Sequence, residues 1–230
     1  MNNLILGYLA RVQAERVRRA ESPAWRDMVE ALKTYQQHRF AQTYADLLNH
    51  PRYAQAAQFF LGELYGPGDF TRRDAQFARV VPALVRLFPR DVVQTVCLLA
   101  ELHAISEELD SRMALALLQH GASQLDASSY GQAWRQTGSE AKRQRQIDLT
   151  LAVGESLDRL TRKPLLRQAL RMMRGPAAAA QLNELQQFLE RGFDTFQAMK
   201  GAREFLGTVR AREESLAKAL FSDSSSALAA

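Results

Sequence analysis

The stretch Asp91–Gly121, DVVQTVCLLAELHAISEELDSRMALALLQHG, constrains the fold more than any other part of the chain. It is apolar on most sides as far as Ser106, and such a helix has to be enclosed by other helices rather than laid on a surface. The remaining sequence can supply that enclosure. Ala, Leu, Gln, Glu and Arg dominate, β-branched residues are sparse, and there are only 12 Gly and 7 Pro in 230 residues, the composition of helices. With 47% hydrophobic residues the chain can bury a sizeable core. The expected fold is an all-α bundle of about eight to ten helices in two packed lobes, 1–121 and 139–221, with the Asp91–Gln119 helix at the centre.

Turn formers divide the chain. Asn3–Arg19 carries apolar residues in helical rhythm. Ser22-Pro23 supplies an N-cap and a proline at the first helical position, opening a long second helix that reaches Asn49. A third starts at Pro51 and stops at Gly66-Pro67-Gly68. Thr71 and Asp74 have capping-box spacing, so a fourth is expected from about Arg72, kinked or divided at Pro82. The polar segment Ala122–Gln146 reads as a short helix around Tyr130 and Trp134 between two loops, and as the boundary of the lobes. Ile147–Leu160, Leu165–Met173, Ala177–Arg191 and Phe193–Phe221 follow, interrupted at Pro164, Gly175-Pro176 and Gly192. The tail, 222–230, is expected to be disordered.

The one cysteine, Cys97, excludes an intrachain disulfide and a thiolate metal cage, which fits a reducing compartment. The N-terminus lacks the pattern of a secretory signal, and no apolar run is long enough to span a bilayer. A cytoplasmic location without membrane association is the expectation. The formal charge of +5 comes from 30 basic against 25 acidic side chains spread along the chain, a mild excess that does not by itself point to nucleic acid.

Three groups of residues are candidate sites. The first is the corner Phe59–Asp74, FFLGELYGPGDFTRRD, where Tyr65, Asp69, Phe70, Arg72, Arg73 and Asp74 crowd beside a helix start. The free amides and dipole of that helix suit an anionic group or a partner's side chains. Capping by Asp69 and Thr71, with the aromatic rings pinning the loop, is the competing structural explanation. The second is His103, with Glu107 and Asp110 following at steps of four and three on one helical face. This spacing permits a metal site, and a buried imidazole suits an axial haem ligand. Against it, neither a Glu-x-x-His pair nor a second His at i+4 occurs. The third is the strip Lys163, Arg167, Arg171 and Arg174, which could track phosphates but lacks interleaved aromatics and any helix-turn-helix or zinc-finger signature. A terminal Ala-Leu-Ala-Ala also suggests a degradation signal.

Together with Gln187–Leu206, QFLERGFDTFQAMKGAREFL, the corner resembles the F-F-L-x-x-L-Y-G-x-x-D-F and F-L-E-x-G-F patterns of a family of uncharacterised proteobacterial all-helical proteins. They match at Phe59–Phe70 and Phe188–Phe193. The resemblance covers most of the chain apart from its tail and implies a bacterial cytosolic origin, with no activity, cofactor or partner to carry over. No catalytic constellation is visible, since no serine sits in a nucleophile elbow and Cys97 lacks an activating environment. The leading expectation is therefore a non-enzymatic interaction or regulatory module with a protein partner or self-association. A haem- or metal-bearing redox or sensor protein is the alternative, and nucleic-acid binding comes third.

Overall fold

Local capping chemistry sets several helix boundaries. The Ser22 hydroxyl accepts from the Trp25 amide at 3.3 Å, and Pro23 opens the helix that follows. Asp126 accepts from the Ser129 amide at 2.8 Å, and the Ser129 hydroxyl accepts from the Asp126 amide at 3.0 Å, a complete capping box. The computed structural model describes residues 1–63, 68, 70–121 and 125–222. Among these residues all regular structure is helical: α1 Asn2–Ala20, α2 Pro23–Thr43, α3 Ala45–Leu48, α4 Ala54–Glu63, α5 Thr71–Leu87, α6 Arg90–Gln119, α7 Ala127–Thr137, α8 Glu140–Leu160, α9 Pro164–Met172, α10 Arg174–Ala179, α11 Asn183–Ala198 and α12 Arg203–Phe221. The all-α expectation holds. The segments outnumber the expected eight to ten because the short α3 and α10, of 4 and 6 residues, stand between longer helices.

Several boundaries differ from the sequence reading. The third helix, α4, starts at Ala54 rather than Pro51, and the helix expected over Ala177–Arg191 is split, because Gly175-Pro176 lies inside α10 and the break falls at Gln181, with φ 58°. The long second helix breaks at Tyr44, whose backbone leaves the helical region at φ −115° and ψ 23°. Its ring is fully buried and its hydroxyl donates to Glu213 at 2.8 Å, a position that an unbroken helix would not supply. Pro82 neither divides nor ends α5; it is exposed, where solvent can take the place of the missing amide donor. α8 starts at Glu140 rather than Ile147, because Ser139 caps it by accepting from the Lys142 amide at 3.4 Å. Gly192 lies inside α11 instead of ending a helix: a Cβ there would sit 3.1 Å from the Phe59 ring, so this glycine admits a neighbouring aromatic. The break falls instead at Lys200 and Gly201, with φ 53° and 118°. The Ser-rich tail and its Ala-Leu-Ala-Ala end lie outside the described residues.

The 30-residue α6 is the axis of the bundle. It packs against α1, α2, α5, α7 and α8, while α12 lies on α7 and α8, and α11 on α4, α5 and α8. Helices that precede and follow it in the chain thus pack on the helix that the sequence marks as central. The apolar core is divided into four clusters. The largest is aromatic, with Phe40, Tyr44, Phe59, Phe60, Phe196 and Phe205 among its members. The second gathers Leu32, Met113, Leu117, Tyr130 and Trp134, and the third joins α1 to the first half of α6 through Ile5, Val81, Val93 and Cys97. Between them runs a polar centre.

The approach of α12 to α8 depends on Gly154, where a Cβ would lie 2.5 Å from a methyl of the buried Leu206. Replacing Gly154 with Ala is expected to destabilise the protein by about 1–3 kcal/mol through overpacking. The same change at Gly7, which has nothing within 4 Å, is expected to stabilise α1 by about 0.5–1 kcal/mol. Urea denaturation of both variants tests the contrast, and equal effects at the two positions would remove the close-approach role of Gly154.

Candidate functional site

The polar face of α6 carries His103, Ser106, Glu107 and Asp110, one helical turn after another. All four line a cavity of about 130 Å³ that is partly open to solvent. Its other walls come from Lys33, Gln36 and Arg39 on α2, Arg73 and Asp74 on α5, Arg143 and Gln146 on α8, and Glu213 on α12. The sequence presents the corner and the His103 face as separate candidates, and the structure brings them together.

Their junction is Asp74. Its carboxylate accepts from Arg16 at 2.6 Å, meets the His103 Nε2 at 2.8 Å and lies 3.6 Å from the Arg73 guanidinium. Burial alone would raise the Asp74 carboxyl. The hydrogen bond from His103 and the charges of His103, Arg16 and Arg73 outweigh it and hold the group below its ordinary value. α5 starts at Thr71 with Phe70 as its N-cap residue and no side-chain cap bond from it. The expected capping box therefore gives way to an inward-turned carboxylate. Arg73 stacks over Phe70 and Phe188, 4.0 and 4.7 Å from the ring centres, and pairs with Glu63 at 3.3 Å. Of the corner residues, Arg72 is exposed and pairs with Glu184 at 3.2 Å, while Tyr65 and Asp69 lie outside the described residues.

One turn along α6, Glu107 accepts from Arg19 on α1 and Lys33 on α2, both at 2.5 Å. Burial opposes ionisation of this carboxyl, yet the charges of Lys33, Arg19 and His103 and the Lys33 hydrogen bond bring it down to about 2. Asp110, a further turn on, receives a hydrogen bond from Gln36 at 3.1 Å, and burial raises its carboxyl above the ordinary value. His103, Glu107 and Asp110 thus share a face as expected, but each meets a different partner. Among the described residues no group of three or more His, Cys, Asp or Glu side chains is placed to hold a metal ion.

Sequence reasoning missed most of the opposing wall. Arg143 lies with its guanidinium 3.7 Å from the Trp134 ring centre and donates to Gln146 at 3.1 Å and to the Met113 sulfur at 2.8 Å. Arg39 lies 3.8 Å from Glu213. A signal for both was available: Arg143 stands four residues before Ile147 and Arg39 directly before Phe40, inside apolar stripes where a charge is out of place. Arg16, Arg19 and Lys33 had no such mark.

The cationic strip is largely neutralised. Lys163 pairs with Asp91 at 2.5 Å, Arg167 with Asp194, and Arg174 with Glu190 at 2.6 Å, while Arg171 is exposed. Among the described residues no helix is long and apolar enough to cross a membrane.

A family model described as Domain of unknown function (DUF8198) matches residues 15–227. The chain belongs to this family. Every charged side chain of the polar centre, from Arg16 to Glu213, falls inside the DUF8198 match. No curated protein and no solved structure matches the chain.

The clamp on Glu107 links this centre to stability. Because its folded value lies below the ordinary 4.5, its contribution is present above about pH 4.5 and is lost as pH falls toward 2. Glu107→Gln leaves Arg19 and Lys33 uncompensated and is expected to cost about 3–5 kcal/mol at pH 7. It should also flatten the acid side of the stability profile. Chemical denaturation from neutral to acid pH checks both effects, and wild-type stability at pH 7 would contradict the clamp.

Proposed function

We propose that the protein is a non-enzymatic regulatory module that holds a small polar molecule in its central cavity and passes the bound state to a protein partner. The observation that supports this is the convergence of charged side chains from α2, α5, α6, α8 and α12 on one cavity. Burying a charge is costly, and a core needed for stability alone would do as well with apolar groups. Clustered, perturbed carboxyls around a cavity are characteristic of binding sites.

In this reading the lobes 1–121 and 139–221 close on the ligand from two sides, so occupancy bears on how they pack. The single cysteine agrees with a reducing cytoplasm, and the patterns at Phe59–Phe70 and Phe188–Phe193 with a proteobacterial source. Arg72, exposed at the start of α5, is the corner residue best placed to meet a partner, whereas Arg73 and Asp74 serve the cavity.

Small-molecule fractions of a bacterial extract are expected to raise the melting temperature of the wild-type protein. Ser106→Leu, which fills part of the cavity, should fold and lose that response. Absence of any shift with the wild type, or an equal shift with the variant, would overturn the reading. An absorption spectrum and metal analysis of the purified protein provide a second check. A Soret band or near-stoichiometric metal would favour the haem or metal alternative at His103.

A further inference from the structure

We infer that the cavity binds a zwitterion of the α-amino-acid type, with its ammonium on Asp110 and its carboxylate toward Arg143 and Trp134. The inference rests on the cavity being a ligand site, as proposed above.

Asp110 differs from the other carboxylates of the polar centre. Asp74 has Arg16, Glu63 has Arg73 and Arg191, Glu107 has Arg19 and Lys33, and Glu213 has Arg39 within ion-pairing distance. Asp110 is 8% exposed, lines the cavity, and forms no ion pair among the described residues. Its side chain has the single hydrogen bond from Gln36. Lys33, whose charge acts on Asp110, is committed to Glu107 one turn away. A buried carboxylate in this state either keeps a proton or takes a cation from outside.

The surrounding groups specify what kind of cation fits. Gln36 donates its Nε2 to Asp110, which leaves its carbonyl as an acceptor, and the Ser106 hydroxyl, which accepts from the Gln146 Nε2 at 2.8 Å and keeps a second lone pair, stands on the same helical face. A carboxylate beside two neutral acceptors suits a donor-only ammonium. A simple amine would meet the Asp110 carboxylate but not the Arg143 guanidinium on α8, which lines the same space. A ligand that also carries a carboxylate turns that charge into a second anchor. Arg143 is held flat on Trp134, and the Trp134 Nε1 is a buried donor with no acceptor. A space of about 130 Å³ corresponds to on the order of ten water positions, enough for a compact amino acid.

The charges that bear on Asp110 are Lys33 on α2, Glu107 on its own helix and Arg143 on α8, and the cavity lining also holds His103, Arg39, Arg73, Asp74, Glu63, Tyr130 and Glu213. Burial leaves the Asp110 carboxyl raised, and an ammonium placed against it favours its charged form.

Isothermal titration with the proteinogenic amino acids tests the assignment. At least one is expected to bind, while its deaminated acid and its decarboxylated amine bind at least about tenfold more weakly. For that ligand, Asp110→Asn should weaken binding by at least about tenfold. The variant removes an uncompensated carboxylate and should melt no lower than the wild type, so lost binding is not lost folding. Equal binding of the deaminated acid, or full affinity in Asp110→Asn, would overturn the inference. If no amino acid binds while extract fractions still stabilise the wild type, the zwitterion falls and the cavity reading stands. If neither occurs, both fall.

Discussion

Glu107 lies on α6, which packs against α1, α2, α5, α7 and α8, and its charge is tolerated there only because two cations come to it from different helices. A buried carboxylate without compensation costs several kcal/mol. Arg19 and Lys33 therefore tie α1 and α2 to one position along α6. The Trp25 indole reinforces that register by donating to the Ser111 carbonyl at 2.9 Å. Asp74 repeats the arrangement a turn earlier, joining Arg16 of α1 to His103 of α6 through a residue of α5. These pairs are directional where apolar contacts are not, so they select one sliding position among the many that would bury similar apolar area.

The apolar core is arranged around this polar line. Four clusters occupy its flanks, and the largest is built from rings such as Phe60 and Phe205, whose centres lie 5.6 Å apart. Aromatic pairs at such separations contribute about 0.5–1.5 kcal/mol beyond the area they bury. Glycines set how closely the flanking helices approach: Gly154 admits Leu206 and Gly192 admits Phe59. The outer helices therefore pack tightly while the centre keeps room for a molecule.

Parts of the polar centre were legible in the residue order. His103, Glu107 and Asp110 share a face because steps of three and four do so on any helix, and the crowding of charge around Arg73 and Asp74 was visible. That the two groups meet was not visible, since residues 74 and 103 are brought together by the packing of α5 on α6. The T-x-x-D spacing pointed to a cap, and the carboxylate turned inward instead because Arg16 and His103 offered stronger partners than a helix amide. The strip from Lys163 to Arg174 reads as uniformly cationic only until Asp91, Asp194 and Glu190 arrive from other segments.

Composition and periodicity by themselves determined the helical class, the buried central helix and the cap at Ser22, because each depends on residues within a few positions of one another. Tertiary structure decided the break at Tyr44, the passage of α11 through Gly192, the partners of each buried charge and the cavity they surround. These depend on distant side chains meeting. Tyr44 and Glu213, or Arg19 and Glu107, have no local relation in the chain, and the free energy that joins them exists only once the helices have excluded water between them.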